Sequence, residues 1–315
     1  MRTGAAADHI GYFHETCFVG SDDELLDVVV PFLVGGADAD EPTLVSLDDR
    51  SAAVVHRAVS DVAGVTFLPH ASQYASPAAT IKQYRDVVES HVAAGAGQVR
   101  AVGSVPHPGL GAPWDGWARY EAAIDRALAD LPLWGICPYD TRITPDDVLA
   151  DAELLHPHVA TTDGRHATNA RFAPEAVVTR RSPPAPDPLE AWPPALVQVE
   201  PTPAAARHGV HDVSRRSGVG PAAVDDLLVA VSEVVTNALT HGRPPVVLRA
   251  WAAPDRVVVA VNDQGPGPAD PLVGLMPHPD RSPGGLGLWI AHQLCGDISL
   301  ATDADGFTVR LIARR

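Results

Sequence analysis

Ser232-Glu233-Val234-Val235-Thr236-Asn237-Ala238 is the stretch on which the reading of this chain turns. It lies inside a longer pattern, Pro221 to about Thr240, in which Val224, Leu227, Leu228, Val231, Val234, Val235 and Ala238 recur at helical spacing. Pro221 suits a first helical position, and Gly242 closes the helix. Roughly opposite the apolar stripe stand Asp226, Glu233 and Asn237, the last two neighbours at i,i+4. Alone, this is the solvated face of an amphipathic helix. If that face lines a cleft, it carries chemistry. An amide oxygen suits a magnesium ion bridging phosphates, and a carboxylate one turn earlier can take the proton of an attacking hydroxyl.

Two glycine-bearing motifs follow in order. Asp263-Gln264-Gly265-Pro266-Gly267 ends an expected strand, where glycines let the backbone turn and approach a ligand. An acid at such a turn can accept a hydrogen bond from the exocyclic amine of a base, or it can simply cap the turn. Gly284-Gly285-Leu286-Gly287-Leu288 opens the next expected helix, and free N–H groups at a helix N-terminus attract phosphate. Between them, residues 268–283 hold five prolines and form a loop able to close over a nucleotide.

Outward from this region, the chain reads as two modules. Eight prolines fall between Pro183 and Pro203, a run that excludes helix and central strand and reads as a stiff linker. The expected division is 1–172, a linker at 173–194, and 195–315. Upstream, strands are expected at Tyr12–Val19, Thr43–Leu47, Val65–Leu68, Val99–Val105 and Leu133–Cys137. Helices are expected at Asp23–Val34, Ser51–Val59, Ala78–Ala94, Trp117–Leu128 and Pro145–Leu155. That alternation predicts an α/β domain with a mostly parallel sheet and helices on both faces. No phosphate-binding loop of the G-x-x-x-x-G-K-[ST] or G-x-G-x-x-G kind occurs at its strand ends. Downstream, strands at Leu196–Val199, Val246–Trp251, Val257–Val261, Ile298–Thr302 and Thr308–Ala313 accompany helices at Ala204–Arg216, Pro221–Thr240 and Leu286–Leu294. Here the helices gather on one face of an antiparallel sheet, an α+β sandwich.

Composition narrows the partners. The 315 residues carry a formal charge of −16, with 25 acids and 13 bases in residues 1–186. Such a chain is ill suited to neutralise nucleic-acid phosphates. Three dispersed cysteines are no disulfide framework, which fits a reducing compartment. The N-terminus lacks the apolar run of a signal peptide, and nowhere do 18 apolar residues run together. The expectation is a cytoplasmic protein with no direct contact to nucleic acid or membrane. His9, His14, Cys17, His156 and His158 raise the question of a metal, but their spacing makes no strong zinc pattern and they read as core or surface residues. Cys137, at a strand end, reads as a small buried hydrophobe rather than a reactive thiol.

The three ordered motifs of residues 195–315 resemble the N, G1 and G2 boxes of the GHKL (Bergerat-fold) ATPases. More narrowly, the stretch V-S-E-V-V-T-N-A-L-T-H-G at 231–242 resembles the RsbW/SpoIIAB-like anti-sigma serine kinases. The resemblance implies ATP and Mg²⁺ as cofactors, Asn237 as the Mg²⁺ ligand, Glu233 as the base and Asp263 as the adenine reader. Gly265, Gly267, Gly284, Gly285, Leu286 and Gly287 would shape the pocket, with His241 and Thr308 beside the nucleotide and Arg207 near the phosphates. The segments Tyr120-Glu121-Ala122, Cys137-Pro138-Tyr139-Asp140 and His156-Pro157 resemble the MEDS sensory domain of the DcmR type, a relative of RecA-like folds without the phosphate loop. The pairing is that of RsbA-family regulators. It implies a serine/threonine kinase that phosphorylates a STAS anti-anti-sigma protein and sequesters an alternative sigma factor. In such a stress-response partner switch, a small-molecule or protein signal would act at the N-terminal domain, and the chain would form a homodimer. Two other readings stay open: a sensor histidine kinase, and a nucleotide-gated binding module without phosphotransfer.

Overall fold

The computed structural model describes residues 2–180, 184–276 and 286–315. The chain divides into two units, Met1–Arg181 and Ser182–Arg315.

The first unit is built by alternation. β1 (Phe13–Val19) leads into α1 (Asp22–Asp38), whose N-terminus is fixed by the Ser21 hydroxyl accepting the Glu24 N–H. The helix runs beyond the expected Val34, and its last turns lie beside Arg100, whose Nη1 donates to Phe32 O at 2.7 Å. Then come β2 (Thr43–Ser46), α2 (Asp49–Ala58), β3 (Val65–Phe67), a single helical turn α3 (His70–Gln73), and α4 (Pro77–Ala93). Asp48 caps α2, and Ser76 caps α4 ahead of a proline at its first turn. The series continues through β4 (Val99–Gly103), α5 (Asp115–Ala127), β5 (Leu133–Asp140) and α6 (Asp146–Leu155).

The sheet has the order β3-β2-β4-β5-β1-β6-β7, and its first six strands are parallel. β5 passes the expected end at Cys137 and includes Pro138. Pairing with β4 stops at Ile136, so the missing proline N–H falls where β5 has only β1 beside it. Two short strands extend the sheet past β1: β6 (His158–Ala160), parallel to β1, and β7 (His166–Thr168), antiparallel to β6. Three-residue strands are too short for a periodicity to reveal, and the sequence reading missed both.

Alternation along β1 sorts two interiors. Phe13, Cys17 and Val19 join an apolar core with α1 and α2, while His14 and Thr16 turn to the other face, where α5 lies. The helix α5 buries Tyr120, Glu121 and Ile124. A buried ion pair, Arg100 Nε to Glu41 Oε2 at 2.6 Å, ties β4 to the segment before β2.

The residues expected to form the linker divide between the units. α7 (Pro174–Arg180) joins the first, where Arg180 meets Asp151. In the second, Pro188–Ala191 forms a 3₁₀ turn closed by a capping box between Asp187 and Glu190. Asp187 pairs with Arg256, Glu190 pairs with Arg310, and Leu189 packs with Trp251, Val258 and Ile312. Proline richness kept this segment from being helix or strand, yet charge pairs and one leucine still hold it on the sheet.

The second unit has a five-stranded antiparallel sheet of order β11-β12-β10-β9-β8. In chain order its elements are β8 (Leu196–Val199), α8 (Pro203–Ser214), α9 (Pro221–His241), β9 (Val247–Ala253), β10 (Arg256–Asp263), α10 (Gly287–Leu294), β11 (Asp297–Asp303) and β12 (Gly306–Arg314). Residues of all three helices share one core with the sheet, in which Leu227, Val231, Leu248, Val259 and Leu311 are fully buried. The polar side chains this unit buries, Ser214, Asn262, Asp263, His292 and Arg310 among the described residues, lie outside this apolar cluster.

Candidate functional site

The rim cavity has a volume of about 230 Å³ and lies where the C-terminal half of α9 meets the end of β10 and the start of α10. Val234, Ala238, Val261, Phe307 and Val309 give it apolar walls, and Asp263 is its buried carboxylate. Flat apolar walls around one fixed acceptor suit an aromatic ring that carries an amine.

Asp263 is held by its own turn. Its Oδ1 accepts the backbone N–H groups of Gly265 at 2.6 Å and Arg243 at 3.1 Å. Both bonds use Oδ1, which leaves Oδ2 for a ligand. Gly267 has φ +74°, a conformation that favours glycine, and a Cβ there would stand 2.6 Å from the Phe307 ring. The second glycine of the motif thus lets the turn fold against β12.

Glu233 and Asn237 sit half-buried on α9, one turn apart. Across from them is the first residue of α10. A Cβ at Gly287 would stand 2.8 Å from Glu233 Oε2 and 3.3 Å from Asn237 Oδ1. Glycine at this position brings the helix N-terminus, with its unpaired N–H groups, against a carboxylate and an amide. The donor set fits a magnesium ion, which binds through few protein oxygens and completes its shell with phosphate and water. Asn237 lines the cavity, as do His241, Gly265 and Gly267.

Other expected residues stand elsewhere. Arg207 is exposed on α8, where its Nη1 donates to Ser232 Oγ at 2.8 Å, and it does not line the cavity. Thr308 accepts the Asn262 side-chain N–H at 3.0 Å, on the side of β12 opposite Phe307 and Val309, which face the cavity. Strand alternation turns Thr308 away from the cavity. Leu286 is described and exposed, whereas Gly284 and Gly285 lie outside the described residues. Gly242, read only as a helix end, lines the cavity, as do Pro268, Val273 and Leu288. The apolar lining gave no signal in the sequence, because it matches ordinary core positions.

In the first unit, two of the histidines weighed as metal ligands come together. The His14 and His156 rings lie 4.2 Å apart between centroids, fully buried, and are joined by Glu121 and Cys137 rather than by Cys17. Burial pushes the Glu121 carboxyl up to about 7 and the Cys137 thiol well above its ordinary range. Burial, together with the neighbouring His14, holds His156 well below the usual imidazole value.

Comparison with known proteins gives each unit a family. Residues 13–157 match the model of MEDS, the MEthanogen/methylotroph, DcmR Sensory domain. Residues 198–313 match the model of the histidine kinase-like ATPase domain. No curated protein matches the chain. Among solved structures, the cytoplasmic domain of EssC is similar at 14% identity and a TM-score of 0.29, covering 46% of this chain and 29% of that one. A likeness at that level carries no argument. The chain therefore holds a sensory domain followed by an ATPase-type domain, and no helix among the described residues is long and apolar enough to cross a membrane.

Proposed function

We propose that this chain, a MEDS sensory domain joined to a histidine kinase-like ATPase domain, is a regulatory serine/threonine kinase of the anti-sigma type. It would act on a STAS anti-anti-sigma protein and sequester an alternative sigma factor while that protein is unavailable. The observation that supports this most is the placement of Glu233 and Asn237 against the N-terminus of α10, with Asn237 lining a cavity that holds a buried carboxylate.

In this reading ATP is the substrate. Its adenine lies between the apolar walls, and its exocyclic amine donates to Asp263. Its phosphates reach toward α10, whose free N–H groups offset their charge. Asn237 would hold Mg²⁺, which would neutralise phosphate charge. The hydroxyl oxygen of a partner serine or threonine attacks the γ-phosphorus, the bond to the β,γ-bridging oxygen breaks, and ADP leaves. Glu233 takes the hydroxyl proton. The remainder of the rate enhancement is positioning.

The test is transfer of labelled phosphate from ATP to a panel of STAS proteins. Acid-stable label on a serine or threonine, lost in Glu233→Ala, supports the kinase. Acid-labile label on the chain itself points to a histidine kinase. ATP binding with no label at all leaves a nucleotide-gated binding module.

A further inference from the structure

We propose that the N-terminal domain carries a closed binding site for a divalent transition metal of the zinc class, formed by His14, Glu121, Cys137 and His156. The four donors come from β1, α5, β5 and the residue after α6, so no two of them are close in sequence. All the ligating atoms lie within 4.8 Å of one another. Cys137 Sγ is 3.5 Å from His14 Nε2, and Glu121 Oε2 is 3.7 Å from His14 Nε2 and 3.5 Å from His156 Nε2. A tetrahedral ion with bonds of about 2.0–2.3 Å separates its donors by about 3.3–3.6 Å, close to these spacings.

Two atoms make the case stronger than proximity does. Glu121 Oε2 and His156 Nε2 are buried and have no hydrogen-bond partner. Such groups are costly when left unpaired, and here both point into the same space. Their other polar atoms are already engaged. Glu121 Oε1 accepts the Tyr139 hydroxyl at 3.1 Å, and His156 Nδ1 lies 2.8 Å from Ala152 O, to which it donates. His14 Nδ1 is 3.2 Å from Asp125 Oδ2. These outer bonds fix both imidazoles with Nε2 toward the cluster, as outer partners of metal-ligating histidines do.

The donor chemistry selects the ion. Two imidazoles and a thiol favour a borderline metal over magnesium or calcium, which prefer oxygen. Coordination replaces the Cys137 S–H bond with a bond to the metal, and the proton leaves to solvent. Thiolate, carboxylate and a divalent cation then sum to no net charge, which removes the penalty of burying any one of them alone. On the other side of Cys137, a tyrosine-lined cavity of about 10 Å³ has room for about one water.

The test uses the full chain, expressed in zinc-supplemented medium and purified without chelator. Elemental analysis should find about one zinc per chain, and X-ray absorption should show one sulfur near 2.3 Å with three lighter atoms near 2.0 Å. Cobalt-loaded chain should show a thiolate-to-metal absorption band that Cys137→Ser abolishes and Cys17→Ser keeps. The proposal is overturned if less than a tenth of an equivalent of zinc or cobalt is retained. A metal shell without sulfur, or a band that survives Cys137→Ser, overturns it as well. The absorption measurement needs no variant, so a Cys137→Ser chain that does not fold leaves the proposal still exposed. None of these readings involves nucleotide, so the result is independent of the kinase assignment.

Discussion

The two units place their polar chemistry in opposite ways. The C-terminal unit buries only a few polar side chains, Asn262, Asp263, His292 and Arg310 among them, and sets Asn237 and Asp263 on the wall of a cavity, with Glu233 one turn from Asn237. The N-terminal unit buries His14, Glu15, Glu41, Arg100, Glu121 and His156 within its interior. A rim site can be exposed to a diffusing substrate, and its residues tolerate water when the substrate is gone. An interior site must have its charges satisfied within the fold, by protein partners or a bound ion, because water does not reach it. The first arrangement suits turnover, and the second suits a fixed internal contact.

If this contrast holds, the largest effect should come from the rim and leave stability almost untouched. Glu233→Ala is expected to lower the rate of phosphotransfer by roughly 10²–10⁴-fold while ATP affinity and melting temperature stay near those of the parent. A comparable loss of ATP binding, measured by calorimetry, would move Glu233 from proton acceptor to nucleotide holder.

The interior should answer in stability instead. Arg100→Met leaves the Glu41 carboxylate buried without its guanidinium and is expected to cost about 3–5 kcal/mol of unfolding free energy. Denaturant titration reads this directly. A cost below about 1 kcal/mol would show that water or Gln98, which also bonds Glu41, supports the carboxylate.

Asp263→Asn probes the cavity floor more gently. The amide oxygen can keep the bonds from the Gly265 and Arg243 N–H groups, but a donor replaces the free carboxylate oxygen. ATP affinity should fall by about 1–3 kcal/mol, with GTP less affected because its ring presents an acceptor at that edge. Equal losses for both nucleotides would remove Asp263 from base recognition.

The smallest effect is expected at Thr308. Thr308→Val removes an acceptor from Asn262, whose amide also reaches Asp305 O and Phe307 O, so the stability cost is about 1 kcal/mol or less. Nucleotide affinity should not change. A clear loss of ATP binding would return Thr308 to the cavity side of β12.

Legibility followed the same divide. Glu233 and Asn237 could be paired from sequence because a helix repeats its face every three to four residues, and Asp263 could be placed because a glycine turn follows it. The longer strands and helices of both units were legible in order for the same reason, with ends displaced by a few residues at Pro138 and Val34, while the short α3, β6, β7 and α7 were not. The side of β12 on which Thr308 stands was not legible, since the face of a strand depends on a register that only pairing with β10 fixes. The segment around Asp187 and Glu190 reads in sequence as a stiff linker because its prolines exclude regular structure, while the ion pairs that hold it are to residues far along the chain.

The sequence alone determined what local spacing can encode: two modules, the order of their longer elements, the apolar stripe of α9 and the motif-borne residues beside it. Only the tertiary structure decided what lies across from what. It set Gly287 against Glu233, turned Thr308 away from Phe307, and gathered His14, Glu121, Cys137 and His156 from four separate elements. The physical reason is range. Helix and strand periodicities act over a few residues, whereas a buried cluster is specified by sheet order and helix packing, which no window of the sequence contains.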